Sequence, residues 1–260
     1  MKVGSLVESF WLDFKEAVAK AAEFGAQGIQ TYVKEIIPDS EIKEKLDIVK
    51  ANGLVVTALC GEMCGFGDTD EHPEKIELFK RIMDIALKFE TNIVSCHIGT
   101  ITAEPSEQNE IIYRACREIA DYGKSIGVTL AIETGPEPAA VLFDFLERFG
   151  PGNGIGVNLD PANLVMVSGD NAAEAVRILG KYIVHTHAKD GYMIGNKEGR
   201  KEKVLGYGDV NYNEYIPALA SVGYDGFLTI ERDGGDDRVG DIKKEIEFLY
   251  EKLDKFGLRS

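Results

Sequence analysis

Five ionisable residues, His97, Glu133, Asp160, His187 and Glu231, each close a short run of β-type residues. Glu133, Asp160 and His187 follow one another at intervals of 27 residues, and Glu231 comes 44 after His187. Singly, each has an ordinary explanation: a glutamate after a strand is commonly a solvated loop residue, and an inward histidine is commonly a hydrogen-bonded core residue. Jointly they pose an electrostatic problem, because three carboxylates brought together repel one another and resist ionisation. One divalent cation removes that cost. Carboxylate oxygens with one or two imidazoles suit Mn²⁺, Mg²⁺, Co²⁺ or Zn²⁺. His185 lies one layer deeper than His187, as a partner to a ligand or as packing. Lys189 and Asp190 come just beyond, where a lysine could hold a substrate oxygen or be solvated.

These residues need a scaffold that brings five strand ends to one place. In the 260-residue chain, short apolar runs alternate with amphipathic helical ones. The strand-like runs are Lys2–Leu6, Gly28–Val33, Leu54–Leu59, Asn92–His97, Val128–Glu133, Gly154–Asp160, Tyr182–His187 and Gly226–Glu231. Helices are expected over Asp13–Phe24, from an N-cap at Ser40 to Ala51, and over Pro73–Phe89, Ser106–Ser125 and Ala139–Phe149. The remaining three run from about Asn171 to Leu179, near Asn213–Ser221 and over Val239–Phe256. Eight such units predict a single-domain α/β protein, a (β/α)8 TIM barrel over residues 1–260, in preference to an open sheet with fewer strands. Alternation along the strands sets Leu130, Ile132, Val157, Leu159, Val184, Thr186, Leu228 and Ile230 on a face that can pack against helices. Glu133, Asn158, Asp160, His185, His187 and Glu231 fall on the other, inside the barrel. Strand four agrees, with Ser95 and His97 opposite Val94, Cys96 and Ile98. The active sites of such barrels lie at the carboxyl ends of the strands.

Composition narrows the function. Lys and Arg number 29 against 44 Asp and Glu, a formal net charge of −15, which opposes binding to nucleic-acid phosphates or anionic lipid. The four cysteines are too sparse for a disulfide framework, and no run suits a signal peptide or a membrane span, so a soluble cytoplasmic protein is expected. Cys60 and Cys64 lack the spacing of a zinc knuckle. Glycines 61, 65 and 67 loosen the same loop, where Glu62 or Phe66 could line a pocket. Phe10 and Trp11 could stack on a sugar or on a helix. Gly206-Tyr207-Gly208 is wrongly placed for a dinucleotide loop. Asp233-Gly234-Gly235-Asp236-Asp237 falls where barrels bind phosphate, but its acidity favours an unphosphorylated substrate unless Arg232 or Arg238 answers it.

Several segments resemble the sugar phosphate isomerase/epimerase family of xylose-isomerase-like barrels, which includes ketose 3-epimerases and inosose dehydratase. They are Ala131-Ile132-Glu133-Thr134-Gly135, Asn158-Leu159-Asp160-Pro161-Ala162-Asn163-Leu164 and Val184-His185-Thr186-His187-Ala188-Lys189-Asp190. The likeness continues through Gly206-Tyr207-Gly208-Asp209-Val210-Asn211-Tyr212 and Gly223–Arg232, and covers essentially the whole chain. It implies Glu133, Asp160, His187 and Glu231 as ligands of one divalent metal ion, and His97 as a residue near the substrate or a second metal. Two positions depart from the family. Asn163 stands where many relatives have histidine, and an amide hydrogen-bonds but does not titrate. Ala139 stands where ketose epimerases carry a second glutamate, with Glu137 nearby, so close identity with those enzymes is not supported.

The expected chemistry is proton transfer beside a carbonyl on a ketose or related polyol, through an enediolate, with Glu133 and Glu231 exchanging the proton. His97, Asn163, Lys189 and His185 are the candidate substrate-binding residues. Dehydration of a keto-inositol or a dehydroshikimate-like acid is the alternative, since it begins with the same step. Phosphodiester cleavage at abasic DNA is disfavoured by the net charge and by the shortage of ligands, with only His72, His97, His185 and His187 available. A non-catalytic sugar-binding barrel is the remaining class. The partner in each favoured case is a small sugar or polyol, not nucleic acid or membrane, and a homo-oligomer is compatible with the sequence.

Overall fold

The computed structural model describes residues 1–61, 65–67 and 72–260, and His72 by its backbone alone. Eight parallel strands close into a barrel: β1 Lys2–Leu6, β2 Gly28–Tyr32, β3 Val55–Cys60, β4 Ile93–Cys96, β5 Thr129–Glu133, β6 Ile155–Leu159, β7 Ile183–Ala188 and β8 Phe227–Ile230. Each is joined to its neighbour in order, and β1 pairs with β8 to complete the ring. The helices are α1 Phe14–Glu23, α2 Asp39–Ala51, α3 His72–Lys88, α4 Glu107–Ile126, α5 Ala139–Glu147, α6 Ala172–Leu179, α7 Tyr212–Ser221 and α8 Arg238–Phe256. The (β/α)8 expectation holds, including β1 and α7, whose sequence signals are the weakest.

Local chemistry explains most boundaries. Asp13, Ser106, Asn171 and Asp237 cap α1, α4, α6 and α8 by accepting from the amides of Glu16, Asn109, Glu174 and Gly240. Gly127 ends α4 at φ 80, a left-handed conformation that glycine takes without a Cβ penalty. Ser40 is not the cap of α2. That helix begins at Asp39 behind Pro38, whose φ of −68 sets up the first turn without a side-chain bond.

The outward aliphatic side chains Leu130, Ile132, Val157, Leu159, Leu228 and Ile230 are fully buried, in one apolar cluster with helical residues such as Ile112, Val176 and Ile242. Each such burial contributes about 1.5–3 kcal/mol. The barrel interior is polar instead. Gln30 donates to Ser95 Oγ at 2.9 Å, and the His185 ring reaches Thr57, Asn158 and Thr229. An unpartnered polar group here would cost about 1–3 kcal/mol, so a closed network is needed.

Two register shifts interrupt strict alternation, between Ile29 and Gln30 and between Val157 and Asn158. The second places Val184 in a bulge beside Gly156, whose Cβ would lie 2.8 Å from Val184 Cγ1. Val184 therefore departs from the helix-facing side expected of it. After β6 the chain makes a helical turn, Pro161–Asn163, then a π turn, Leu164–Ser168, neither foreseen. The loop after β7 contains a short antiparallel ribbon, Asp190–Gly191 against Glu202–Lys203. No helix among the described residues is long and apolar enough to cross a membrane.

Candidate metal centre

The strand ends carry out the convergence that alternation implies. Glu133 ends β5, Asp160 and Glu231 follow β6 and β8, and His187 lies near the end of β7. One ligand atom from each of the four lies within 4.8 Å of the others, and all four side chains are buried. His187 Nδ1 is 3.0 Å from Glu231 Oε2, 3.5 Å from Glu133 Oε1 and 3.9 Å from Asp160 Oδ2.

Neighbouring groups orient these side chains from behind. Asp160 Oδ1 accepts from the amides of Ala162 and Asn163 at 2.7 and 3.0 Å, and Pro161 fixes the turn that presents them. His187 Nε2 lies 2.8 Å from Gln30 Oε1, an acceptor, and 3.2 Å from Asn158 Nδ2, a donor; the shorter contact, to Gln30, favours the ring proton on Nε2. Nδ1 then directs its lone pair to the cluster, the usual arrangement for a metal-binding histidine. Asn158 links the layers, with Oδ1 2.9 Å from His185 Nδ1 and Nδ2 3.4 Å from Glu133 Oε2.

Two atoms test the fit to a cation. Asp160 Oδ2 and His187 Nδ1 are buried and have no hydrogen-bond partner. The 3.0 Å approach of Nδ1 to Glu231 Oε2, which accepts from Lys189, does not make a hydrogen bond that satisfies Nδ1. Unpartnered buried polar atoms facing one point, with a carboxylate on either side, match the donor set of a divalent ion.

Electrostatics agree. Burial pushes the Asp160 carboxyl pKa up. Burial opposes charge on His187, but Glu231 and Glu133 outweigh it, and its pKa stands well above the ordinary histidine value. The carboxylates thus draw a proton onto the ring when nothing else neutralises them, and a metal ion would release it. Burial opposes ionisation of Glu231 too, yet Lys189 and His187 hold its carboxyl well below the usual range. Lys189 Nζ sits 3.1 Å from Glu231 Oε2 and also contacts Asp233.

Above the cluster opens a cavity of about 410 Å³, lined by His97, Glu133, Asn163, Lys189, Glu231 and Asp233 together with Tyr32, Cys60 and Arg200. That volume suits one small polar ligand. His97 is 55% exposed, with Nε2 3.5 Å from Glu133 Oε1. Asn163 Nδ2 donates to Glu133 Oε1 at 3.1 Å, so its amide orients the carboxylate. His185 does not line the cavity. It is buried beneath the cluster, and desolvation, reinforced by His187, lowers its pKa to about 3, leaving a neutral ring that positions Asn158.

Gln30, Tyr32 and Arg200 are additions beyond the residues singled out from sequence. The alternation rule applied to β2 would have found Gln30, between Ile29 and Thr31. Other expectations resolve simply. Phe66 packs on Phe79 in the core, and Phe10 on Phe24. Trp11 is exposed beneath the Arg238 guanidinium. Gly206 and Gly208 donate to Asp190 Oδ2 rather than forming a dinucleotide loop. Cys60 is buried, whereas Glu62 and Cys64 lie outside the described residues.

A family model described as xylose isomerase-like TIM barrel matches residues 18–252, and the chain belongs to that family. An uncharacterized protein of Methanocaldococcus jannaschii is 26% identical over 196 residues, 68% of this chain and 64% of the relative. The chain thus matches just under two thirds of that curated relative's length. Among solved structures, a xylose isomerase domain protein from Planctomyces limnophilus superposes with a TM-score of 0.85 at 23% identity, covering 97% of this chain and 96% of that one. D-psicose 3-epimerase from Clostridium cellulolyticum H10, solved with D-tagatose, gives 0.79 at 20% identity, covering 97% and 99%. A xylose isomerase-like barrel protein from Mycobacterium smegmatis in complex with magnesium gives 0.76 at 18%, covering 92% and 88%. At these identities the structural likeness establishes the fold.

Proposed function

We propose that the protein is a divalent-metal-dependent isomerase or epimerase that moves a proton beside the carbonyl of a ketose or related polyol. The observation that carries this reading is the pair of unpartnered buried atoms, Asp160 Oδ2 and His187 Nδ1, clustered with Glu133 and Glu231, which line a cavity. Glu133, Asp160, His187 and Glu231 would hold the ion. The epimerase and magnesium complexes among the similar folds support both the substrate class and the cofactor class.

A bound divalent cation supplies Lewis-acid polarisation of a carbonyl, which acidifies the adjacent C–H bond. The protein's own groups do the rest. Glu231 is kept ionised by Lys189, which donates to Oε2, leaving Oε1 to accept a proton. Burial disfavours charge on Lys189, but Glu231, Asp160 and Asp233 overcome it, so its ammonium stays charged to stabilise an oxyanion of the enediolate. Glu133, steadied by Asn163, faces the same space and can return the proton, with His97 beside it and open to solvent. Because Asn163 cannot titrate, its part is to orient.

The test is incubation with Mn²⁺ and a panel of ketoses, inosose and dehydroshikimate in deuterated water. Deuterium entering the carbon next to the carbonyl is expected. Loss of water would identify a dehydratase, and binding without exchange would refute catalysis. Glu231→Gln should lower exchange strongly; undiminished exchange would remove Glu231 as a proton carrier.

A further inference from the structure

Beyond the metal cluster, the loop between β8 and α8 turns its backbone amides toward a carboxylate that arrives from another loop. Glu202, on the ribbon after β7, accepts from Asp233 N at 3.2 Å through each of its oxygens, and from Gly234 N at 3.3 Å. Arg232 Nη1 donates to the same carboxylate. The Glu202 side chain is 10% exposed and that of Arg232 5%. Gly235 makes the close approach feasible: at φ +93, a Cβ there would lie 2.6 Å from Arg232 Nη2.

Two backbone N–H groups and a guanidinium converging on a carboxylate constitute a built oxyanion cradle. In barrels of this architecture the loops after strands seven and eight are the frequent place for substrate phosphate. Here the second of those loops supplies the cradle and the first supplies its anion. We propose that Glu202 is a specificity-determining residue: it fills the cradle as a built-in anion and so restricts the neighbouring cavity to substrates that carry no phosphate at that end.

The surrounding charges support the assignment. Arg232 is also paired with Asp241, at 3.1 Å. A dianion entering beside Glu202 would meet the carboxylates of Asp241 and Asp233. The amino end of α8 offers no substitute, because Asp237 accepts from Gly240 N at 3.0 Å. Arg238 is likewise engaged, stacked on Trp11 and donating to the Arg232 carbonyl. The cradle adjoins the cavity through Asp233, which lines the cavity and donates its amide to Glu202.

The statement about substrate rests on the cavity being the substrate site; the cradle chemistry does not. Calorimetric titration of inorganic phosphate into magnesium-loaded wild type, Glu202→Ala and Glu202→Gln separates them. Glu202→Ala is expected to bind phosphate at least about tenfold more tightly than wild type, the scale of one charge-assisted hydrogen bond. Glu202→Gln, which keeps the ribbon anchored through its carbonyl oxygen, should gain less in the same direction. Equal phosphate affinity in all three, with folding verified by circular dichroism, overturns the proposal. A gain in phosphate affinity without deuterium exchange on any ketose would leave the cradle standing and remove the isomerase reading. Ketose exchange without that gain would do the reverse.

Discussion

Replacing Asp160 with Asn separates a metal-binding cluster from a purely structural one, because the two states of the protein should respond in opposite directions. In the metal-free chain, Asp160 places one carboxylate oxygen among Glu133, Glu231 and His187 with no hydrogen-bond partner. The amide keeps Oδ1 available to the N–H groups of Ala162 and Asn163, removes the charge and offers a donor where the carboxylates need one. Relief of one such group is worth about 1–3 kcal/mol, and each kcal/mol raises the Tm by about 2–4 °C for a chain of this size. With metal present, wild type gains about 4 kcal/mol at a concentration near 1,000 times Kd, while the variant, lacking an anionic ligand, gains little. Differential scanning calorimetry in EDTA and in excess Mn²⁺ should therefore show the variant melting above wild type in the first buffer and below it in the second. Burial raises the Asp160 pKa, so the folded metal-free protein holds this proton more tightly than the unfolded chain. Its stability thus falls as pH rises above the ordinary aspartate value of 3.8, and the advantage of the variant in EDTA should grow in the same direction. A variant that is less stable in EDTA and responds to Mn²⁺ as wild type does would refute the reasoning.

Gln30→Leu removes the acceptor for His187 Nε2 while keeping the volume. It should weaken metal binding about 10–100-fold in isothermal titration with the fold intact; unchanged affinity would mean that Gln30 does not orient the ligand. Glu245, pushed up to about 8 chiefly by burial, is a second pH-dependent element. Its contribution is intact below the unfolded value, near 4.5, and is lost as pH rises toward 8. Urea melts of Glu245→Gln should consequently gain on wild type across that window, and a constant difference would contradict it.

Much of this was legible because strand alternation is a strict rule with chemical consequences. Glu133, Asp160, His187 and Glu231 each occur at an inward parity position near a strand end, so their convergence followed once eight strands were counted. The same rule would have reached Gln30. It could not reach Val184, because a bulge shifts the register between β6 and β7 without a marker in composition. The Glu202–Arg232 contact joins two loops 30 residues apart, and neither loop carries periodicity that reveals the other. His185 shows the limit on roles: its depth in the strand was readable, but its pairing with Asn158, Thr57 and Thr229 depends on three other strands. Ser40 was misplaced for a local reason, since a preceding proline can begin a helix as well as a serine can cap one.

The most direct test is anomalous diffraction at the manganese edge from a crystal grown with Mn²⁺. One peak is predicted at about 2.0–2.3 Å from His187 Nδ1, Asp160 Oδ2 and a carboxylate oxygen each of Glu133 and Glu231. A map with no peak between these four side chains, at full occupancy of other sites or none, would contradict the account.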